Sequence, residues 1–126
     1  MVLDSSALIA ILIEEPEWRD LIGKIDAAET GVVGAPTVFE TAVVLARKAR
    51  ETSGLTAFLK SAEIEVVPFD ERHFQAALDA FTRFGKGRHA AGLNFGDCMT
   101  YAVASLSGLP LLYVGDDFSR TDIEAA

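Results

Sequence analysis

The chain opens Met1-Val2-Leu3-Asp4-Ser5-Ser6-Ala7-Leu8-Ile9-Ala10-Ile11-Leu12-Ile13 and turns acidic at Glu14-Glu15-Pro16-Glu17. A short apolar run ends on a carboxylate, and two serines then open an apolar helix through Ile13. Strand, acid and helix in that order begin a βα unit, the building block of a parallel sheet with helices packed on it.

The alternation continues outward from that start. Pro16 suits the first turn of a second helix carrying Trp18, Leu21, Ile22 and Ile25 at helical spacing. Gly31 to Ala35 reads as a second strand, and Pro36-Thr37 introduces a helix with Val38, Ala42, Leu45, Ala46 and Ala49 on one side. Ser53-Gly54 breaks that pattern before a short helix from Leu55 to Ala62, and β-branched Ile64 to Phe69 forms the third strand. Asp70 caps a helix expected to turn Phe74, Ala77, Leu78 and Phe81 inward. Gly85 to Gly92, with three glycines among basic residues, is a loop. Asn94 caps a helix running to Ser107, Gly108 stops it, and Leu109 to Val114 is the fourth strand. The expected architecture is α/β, a parallel sheet of four or five strands covered by helices on both faces.

In open parallel sheets, ligands sit beyond the carboxyl ends of the strands. Acids mark those ends here: Asp4 after the first strand, Glu40 and Asp97 in the first turns of two helices, and Asp116-Asp117 after the fourth strand. Taken singly, each has a local explanation. Asp4 can cap its helix, Thr37-Val38-Phe39-Glu40 and Asn94-Phe95-Gly96-Asp97 both have capping-box spacing, and Asp116-Asp117 fits a polar turn. Capping does not explain why all four segments deliver carboxylates to one edge. Two carboxylates about 4 Å apart repel by roughly 4 kcal/mol at an effective dielectric near 20. A gathered set must therefore take up protons or a cation. All-oxygen ligands without histidine or cysteine suit Mg²⁺ or Mn²⁺, the ions of phosphodiester hydrolysis.

Composition narrows the alternatives. The 126 residues fit one domain, half of them are hydrophobic, and 24% are charged, as in a globular protein. Cys98 is the only cysteine, so neither a disulfide framework nor a cysteine-rich metal site is available. The apolar stretch from Ala7 to Ile13 falls far short of the ~20 residues of a membrane span, and no basic leader precedes it. A cytoplasmic protein without membrane association is expected. The formal charge of −8 argues against a general nucleic-acid binder, but acids gathered round divalent cations would contribute much less to the field. Six of the eleven cations lie in two stretches, Arg47, Lys48, Arg50 and Arg83, Lys86, Arg88. Ser5 and Ser6 lack a nucleophile elbow and a nearby histidine, which disfavours a serine hydrolase. His73 and His89 read as surface residues, Cys98 as core, and Gly85-Lys86-Gly87 completes no phosphate-loop pattern.

The chain resembles the PIN-domain family, specifically the VapC-type ribonuclease toxins of bacterial toxin–antitoxin pairs, over essentially its whole length. The resemblance rests on Val2-Leu3-Asp4-Ser5-Ser6-Ala7-Leu8 and Glu40, and most specifically on Gly85-Lys86-Gly87-Arg88-His89 through Leu93-Asn94-Phe95-Gly96-Asp97-Cys98. Leu111 through Phe118 and Thr121-Asp122-Ile123 extend it. It implies a single PIN domain over residues 1–126, a three-layer fold, and Mg²⁺-dependent RNA hydrolysis. By the same resemblance Asp4 and Asp97 match the principal metal ligands, Glu40 the third acid, and Ser6 the hydroxyl beside the first aspartate. Tyr113 stands where many relatives have threonine and Gly115 where they have an acid, leaving Asp116 or Asp117 to supply the fourth carboxylate. The family further implies a homodimer, a single-stranded or looped RNA substrate, and a cognate antitoxin that blocks the acidic cleft. Arg83, Lys86, Arg88 and the Arg47–Arg50 cluster are the candidate phosphate contacts. The competing readings are a non-catalytic PIN scaffold that holds RNA or antitoxin, and a phospho-acceptor receiver domain. Retention of Asp4, Glu40 and Asp97 disfavours the first, and the lack of any lysine after Lys86 disfavours the second.

Overall fold

The computed structural model describes residues 1–126. Its elements, in chain order, are β1 (Val2–Leu3), α1 (Ser5–Leu12), α2 (Trp18–Ala27), β2 (Gly31–Gly34), α3 (Ala35–Arg47) and α4 (Ser53–Ser61). They continue with β3 (Ile64–Val67), α5 (Glu71–Phe84), α6 (Phe95–Ser107) and β4 (Leu111–Leu112). The four strands form one parallel sheet in the order β3-β2-β1-β4, with Val2 in register with both Val32 and Leu111. Ala125 adds a single parallel bridge to Leu111, so the C-terminal segment occupies a fifth position beside β4. The chain builds outward from β1 through β2 to β3, then returns to the other side of β1. The strand order therefore reverses between β1 and β4, where open α/β sheets place their ligands.

Period-two alternation divides the core between the two faces of the sheet. Leu3, Val33, Ile64 and Leu112 pack with α1 to α4, including Leu8, Ile11, Leu21, Leu45, Leu55 and Leu59. Val2 and Leu111, joined by Val32 and Val67, face the opposite way toward Ala80, Tyr101, Val103 and Ala104 of α5 and α6. The result is the expected three-layer arrangement with helices on both faces.

Local signals set several boundaries differently. Pro16 precedes α2 rather than entering it, and β4 is two residues long rather than six. Helix α3 begins at Ala35, with extended Gly34 as its N-cap and Pro36 in its first turn. Thr37 therefore does not cap it, and the proposed Thr37–Glu40 box does not form. The helix ends at Arg47, and Ala49 adopts a positive φ of 54° beyond it. On α5, Ala80 and His73 are the buried positions, whereas Phe74, Leu78 and Phe81 are exposed. The helix packs on α6 through small side chains, which leaves the aromatic stripe one step round at the rim of an open groove. His73 is correspondingly buried rather than superficial, completing a capping box with Asp70. Asn94 caps α6 as expected, and left-handed Gly108 terminates it.

Gly34 sits where α3 leaves the sheet against α6, and a Cβ there would stand 2.9 Å from Val103 Cγ2. Gly34→Ala should lower unfolding free energy by about 1–3 kcal/mol through overpacking. Urea denaturation measures this, and adding Val103→Ala should recover part of the loss. If Gly34→Ala proved neutral, the close approach of α3 and α6 would not be limiting.

Candidate active site

Asp4 leaves the end of β1 and is 4% exposed. As the N-cap of α1 it accepts hydrogen bonds at Oδ2 from the Ser6 amide (3.0 Å) and the Ser6 hydroxyl (2.6 Å). Oδ1 accepts a third from the Thr100 hydroxyl of α6, at 2.9 Å. The Ser6 hydroxyl in turn accepts from the Val114 amide at 3.0 Å, tying the exit of β4 to the exit of β1. Three hydrogen bonds thus orient both carboxylate oxygens. Asp4 is both the N-cap of α1 and a buried acid at the exit of β1.

Asp97 lies in the first turn of α6, 9% exposed. Its Oδ2 accepts from the Asn94 amide at 2.9 Å, while Asn94 Oδ1 accepts from the Asp97 amide at 2.9 Å. That reciprocal box satisfies helix-start donors and aims the carboxylate. Glu40, half-buried on α3, reaches the same turn: a Cβ on Gly96 would overlap its carboxylate group. A glycine before Asp97 is therefore what lets the Glu40 side chain lie there.

The fourth segment turns at Gly115, whose φ of +97° favours glycine, and is anchored by buried Phe118 packed 5.3 Å from the Tyr113 ring. Asp116 spends its carbonyl on the Ser119 amide and hydroxyl. The charge of Asp117 reaches Asp97. Burial pushes the Asp97 carboxyl up to about 6; the Asn94 amide opposes this, and the charges of Asp4, Asp117 and Glu40 add to the rise. Four acids from four segments therefore share one electrostatic neighbourhood.

Those donors fit a hard divalent cation: all are carboxylate oxygens, and no histidine or thiolate is among them. No three of these side chains approach closely enough to hold a metal ion between them, so the fit rests on donor chemistry and on Asp4 and Asp97. None of these acids lines a cavity of the molecule, and Asp4 and Asp97 are buried while Glu40 is half-buried.

The basic candidates are arranged differently. Arg83 donates to Asp122 (2.7 Å), Asp79 (3.2 Å) and the Tyr101 hydroxyl (3.2 Å), which commits it to internal pairing rather than to a free phosphate-binding position. The Arg88 guanidinium lies over the Phe81 ring at 4.9 Å, and Lys86 is exposed. Sequence reasoning missed Thr100 and Thr37, both buried. The available signal was spacing, because Thr100 lies one helical turn after Asp97 and so shares its face.

The description "PIN domain" matches residues 1–124 of this chain. The chain is 42% identical to a ribonuclease VapC of Mycolicibacterium smegmatis, covering 99% of this chain and 98% of that one. It is 39% identical to ribonuclease VapC30 of Mycobacterium tuberculosis, with 98% and 95% covered. The fold is similar to the crystal structure of Mycobacterium tuberculosis VapC20, a sarcin-ricin loop cleaving toxin, at a TM-score of 0.81 and 16% identity, covering 99% and 97%. A toxin–antitoxin complex from Klebsiella pneumoniae gives a TM-score of 0.72 at 16% identity, with 96% and 92% covered.

An acid whose folded pKa lies above its unfolded value destabilises the fold as pH rises between the two. For Asp97 the interval runs from the ordinary 3.8 to about 6. In EDTA, Asp97→Asn, whose side-chain carbonyl can still cap, should therefore melt higher than the parent at about pH 7.5, and the gap should close by about pH 4. A gap independent of pH, measured by thermal denaturation, would contradict this charge crowding.

Proposed function

The chain belongs to the PIN-domain family, with the ribonucleases named VapC among its relatives, and we propose that it is a metal-dependent endoribonuclease toxin hydrolysing RNA phosphodiester bonds. The observation carrying this reading is the approach of Asp4, Glu40 and Asp117, each from a separate segment, to Asp97 at the start of α6. Asp4 and Asp97 would hold Mg²⁺ or Mn²⁺, with Glu40 and Asp117 completing the charge around it. When bound, such an ion lowers the pKa of water and offsets charge building on the phosphate.

The chain's own residues supply order. Ser6 and Thr100 fix both Asp4 oxygens, and Asn94 fixes one Asp97 oxygen while leaving the other available. The substrate of this proposal is a single-stranded or looped RNA, whose unpaired backbone can be held without unwinding a duplex. Lys86 and Arg88 remain the exposed candidates for phosphate contact, and Arg83 acts through its ion pairs instead.

A cognate antitoxin and a homodimer complete the proposal. Supporting a protein partner, Phe74, Leu78 and Phe95 stay exposed around a groove between α5 and α6. A patch of this kind is the usual mark of an interaction surface. No helix is long and apolar enough to cross a membrane, and a cytoplasmic location agrees with the proposed partners. Sedimentation of the purified chain should give a dimer at micromolar concentration, and a monomer throughout would remove that part.

Asp4→Asn and Asp97→Asn should each lower RNA cleavage by more than about a hundredfold, beyond the usual cost of losing an outer-shell partner. Circular dichroism should stay native. EDTA should abolish cleavage by the parent, and Mg²⁺ or Mn²⁺ should restore it. Cleavage by either variant at the parent rate would refute the ligand assignment, and metal-independent products would refute the mechanism.

A further inference from the structure

Thr37, Thr100 and Asp4 form a buried chain of hydrogen bonds whose polarity can be read from proton counting. The Thr37 and Thr100 hydroxyl oxygens are 3.1 Å apart, and Thr100 Oγ1 is 2.9 Å from Asp4 Oδ1. The three residues are 3%, 1% and 4% exposed, so water cannot substitute for any of these bonds. An ionised carboxylate only accepts, and a hydroxyl has one proton to give. Thr100 must therefore donate to Asp4, which leaves Thr37 as the donor to Thr100. Thr37 is itself held from the other side, because its carbonyl accepts from the Thr41 hydroxyl at 2.8 Å.

The chain also sits at the middle of a ladder between two helices. Along α3, Gly34, Thr37 and Glu40 follow one another by a turn; along α6, read backwards, they meet Val103, Thr100 and Gly96. The outer rungs are close approaches of a glycine to a side chain, Gly34 to Val103 and Gly96 to the Glu40 carboxylate. The middle rung is the hydroxyl pair. One hydrogen-bonded pair thus sets the position of Glu40, one turn on, relative to Asp97, one turn back, and orients Asp4 between them.

We propose that Thr37 and Thr100 are positioning residues that pre-organise the carboxylate pocket for its cation, acting through Asp4 without touching the ion or the RNA. This rests on the assignment of Asp4 as a metal ligand. Two buried hydroxyls offer only one fully satisfied arrangement, and a broken link leaves a carboxylate oxygen or a hydroxyl unpaired in the core. The order of severity follows. Thr100→Val removes the donor to Asp4 and strands the Thr37 hydroxyl; Thr37→Val leaves the Thr100–Asp4 bond intact and loses only its support.

Calorimetric titration of the purified, EDTA-stripped chain with Mn²⁺, alongside circular dichroism and melting, tests this. Thr100→Val should weaken Mn²⁺ binding by about 10–100-fold, the usual cost of an outer-shell partner. Thr37→Val should weaken it less, and Thr100→Ser, which keeps the hydroxyl, should bind within about threefold of the parent. In RNA cleavage at saturating Mn²⁺, Thr100→Val should lower kcat while KM for RNA stays constant. Parent-like Mn²⁺ affinity in Thr100→Val, or a lower melting temperature with unchanged affinity, would overturn the proposal. Should Thr100→Val fail to fold, Thr37→Val decides: weakened affinity with a native spectrum supports the chain, and unchanged affinity overturns it. A parent that binds no Mn²⁺ would instead count against the metal site itself, separating the two failures.

Discussion

Like charges held close together in a partly dehydrated patch are the constraint on which this structure turns. Asp97 is pushed toward neutrality by burial and by Asp4, Asp117 and Glu40, yet the acids are kept in place. What holds them is ordinary helix chemistry. Asp4 caps α1, and Asp97 closes the capping box of α6, so two helix N-termini direct amides and positive dipole ends toward the patch. The same bonds that start each helix also orient its carboxylate. Capping and the proposed metal-binding role are therefore compatible for these two residues.

The sheet explains why these ends meet. With strand order β3-β2-β1-β4, the reversal at β1 brings the exits of β1 and β4 side by side. Ser6 bridges them through Asp4 and the Val114 amide. Helix α3 then leans on α6 closely enough that a Cβ at position 34 would crowd Val103 and one at position 96 would displace the Glu40 carboxylate from where it now lies. The site is thus a consequence of packing distances between elements, and its acids lie 36, 57 and 20 positions apart along the chain.

Much of this was legible in the amino-acid order. Asp4 after an apolar run, Asn94 with Asp97, and Gly108 as a helix stop all act where their local chemistry predicts. The alternation of short apolar runs with helical spacing was enough for the three layers. Long-range facts were not legible. Thr37 looked like a cap because its spacing to Glu40 is right, but extended Gly34 and Pro36 start the helix earlier. Phe74, Leu78 and Phe81 have inward-facing spacing, but spacing cannot say which stripe its neighbour will cover. Arg83 has Asp79 one helical turn before it, but its 2.7 Å pairing with Asp122 appears only in the fold. The turn at Gly115, with its φ of +97°, places Asp116 and Asp117 in a way their order alone does not show.

The most direct test of the central claim is a crystal of the chain soaked in Mn²⁺ and measured at a wavelength that makes manganese visible by anomalous scattering. The account requires a strong peak bonded to Asp4 and Asp97, with Glu40 and Asp117 facing it. A well-ordered site free of manganese at saturating concentration, or a peak bound elsewhere on the surface, would contradict it.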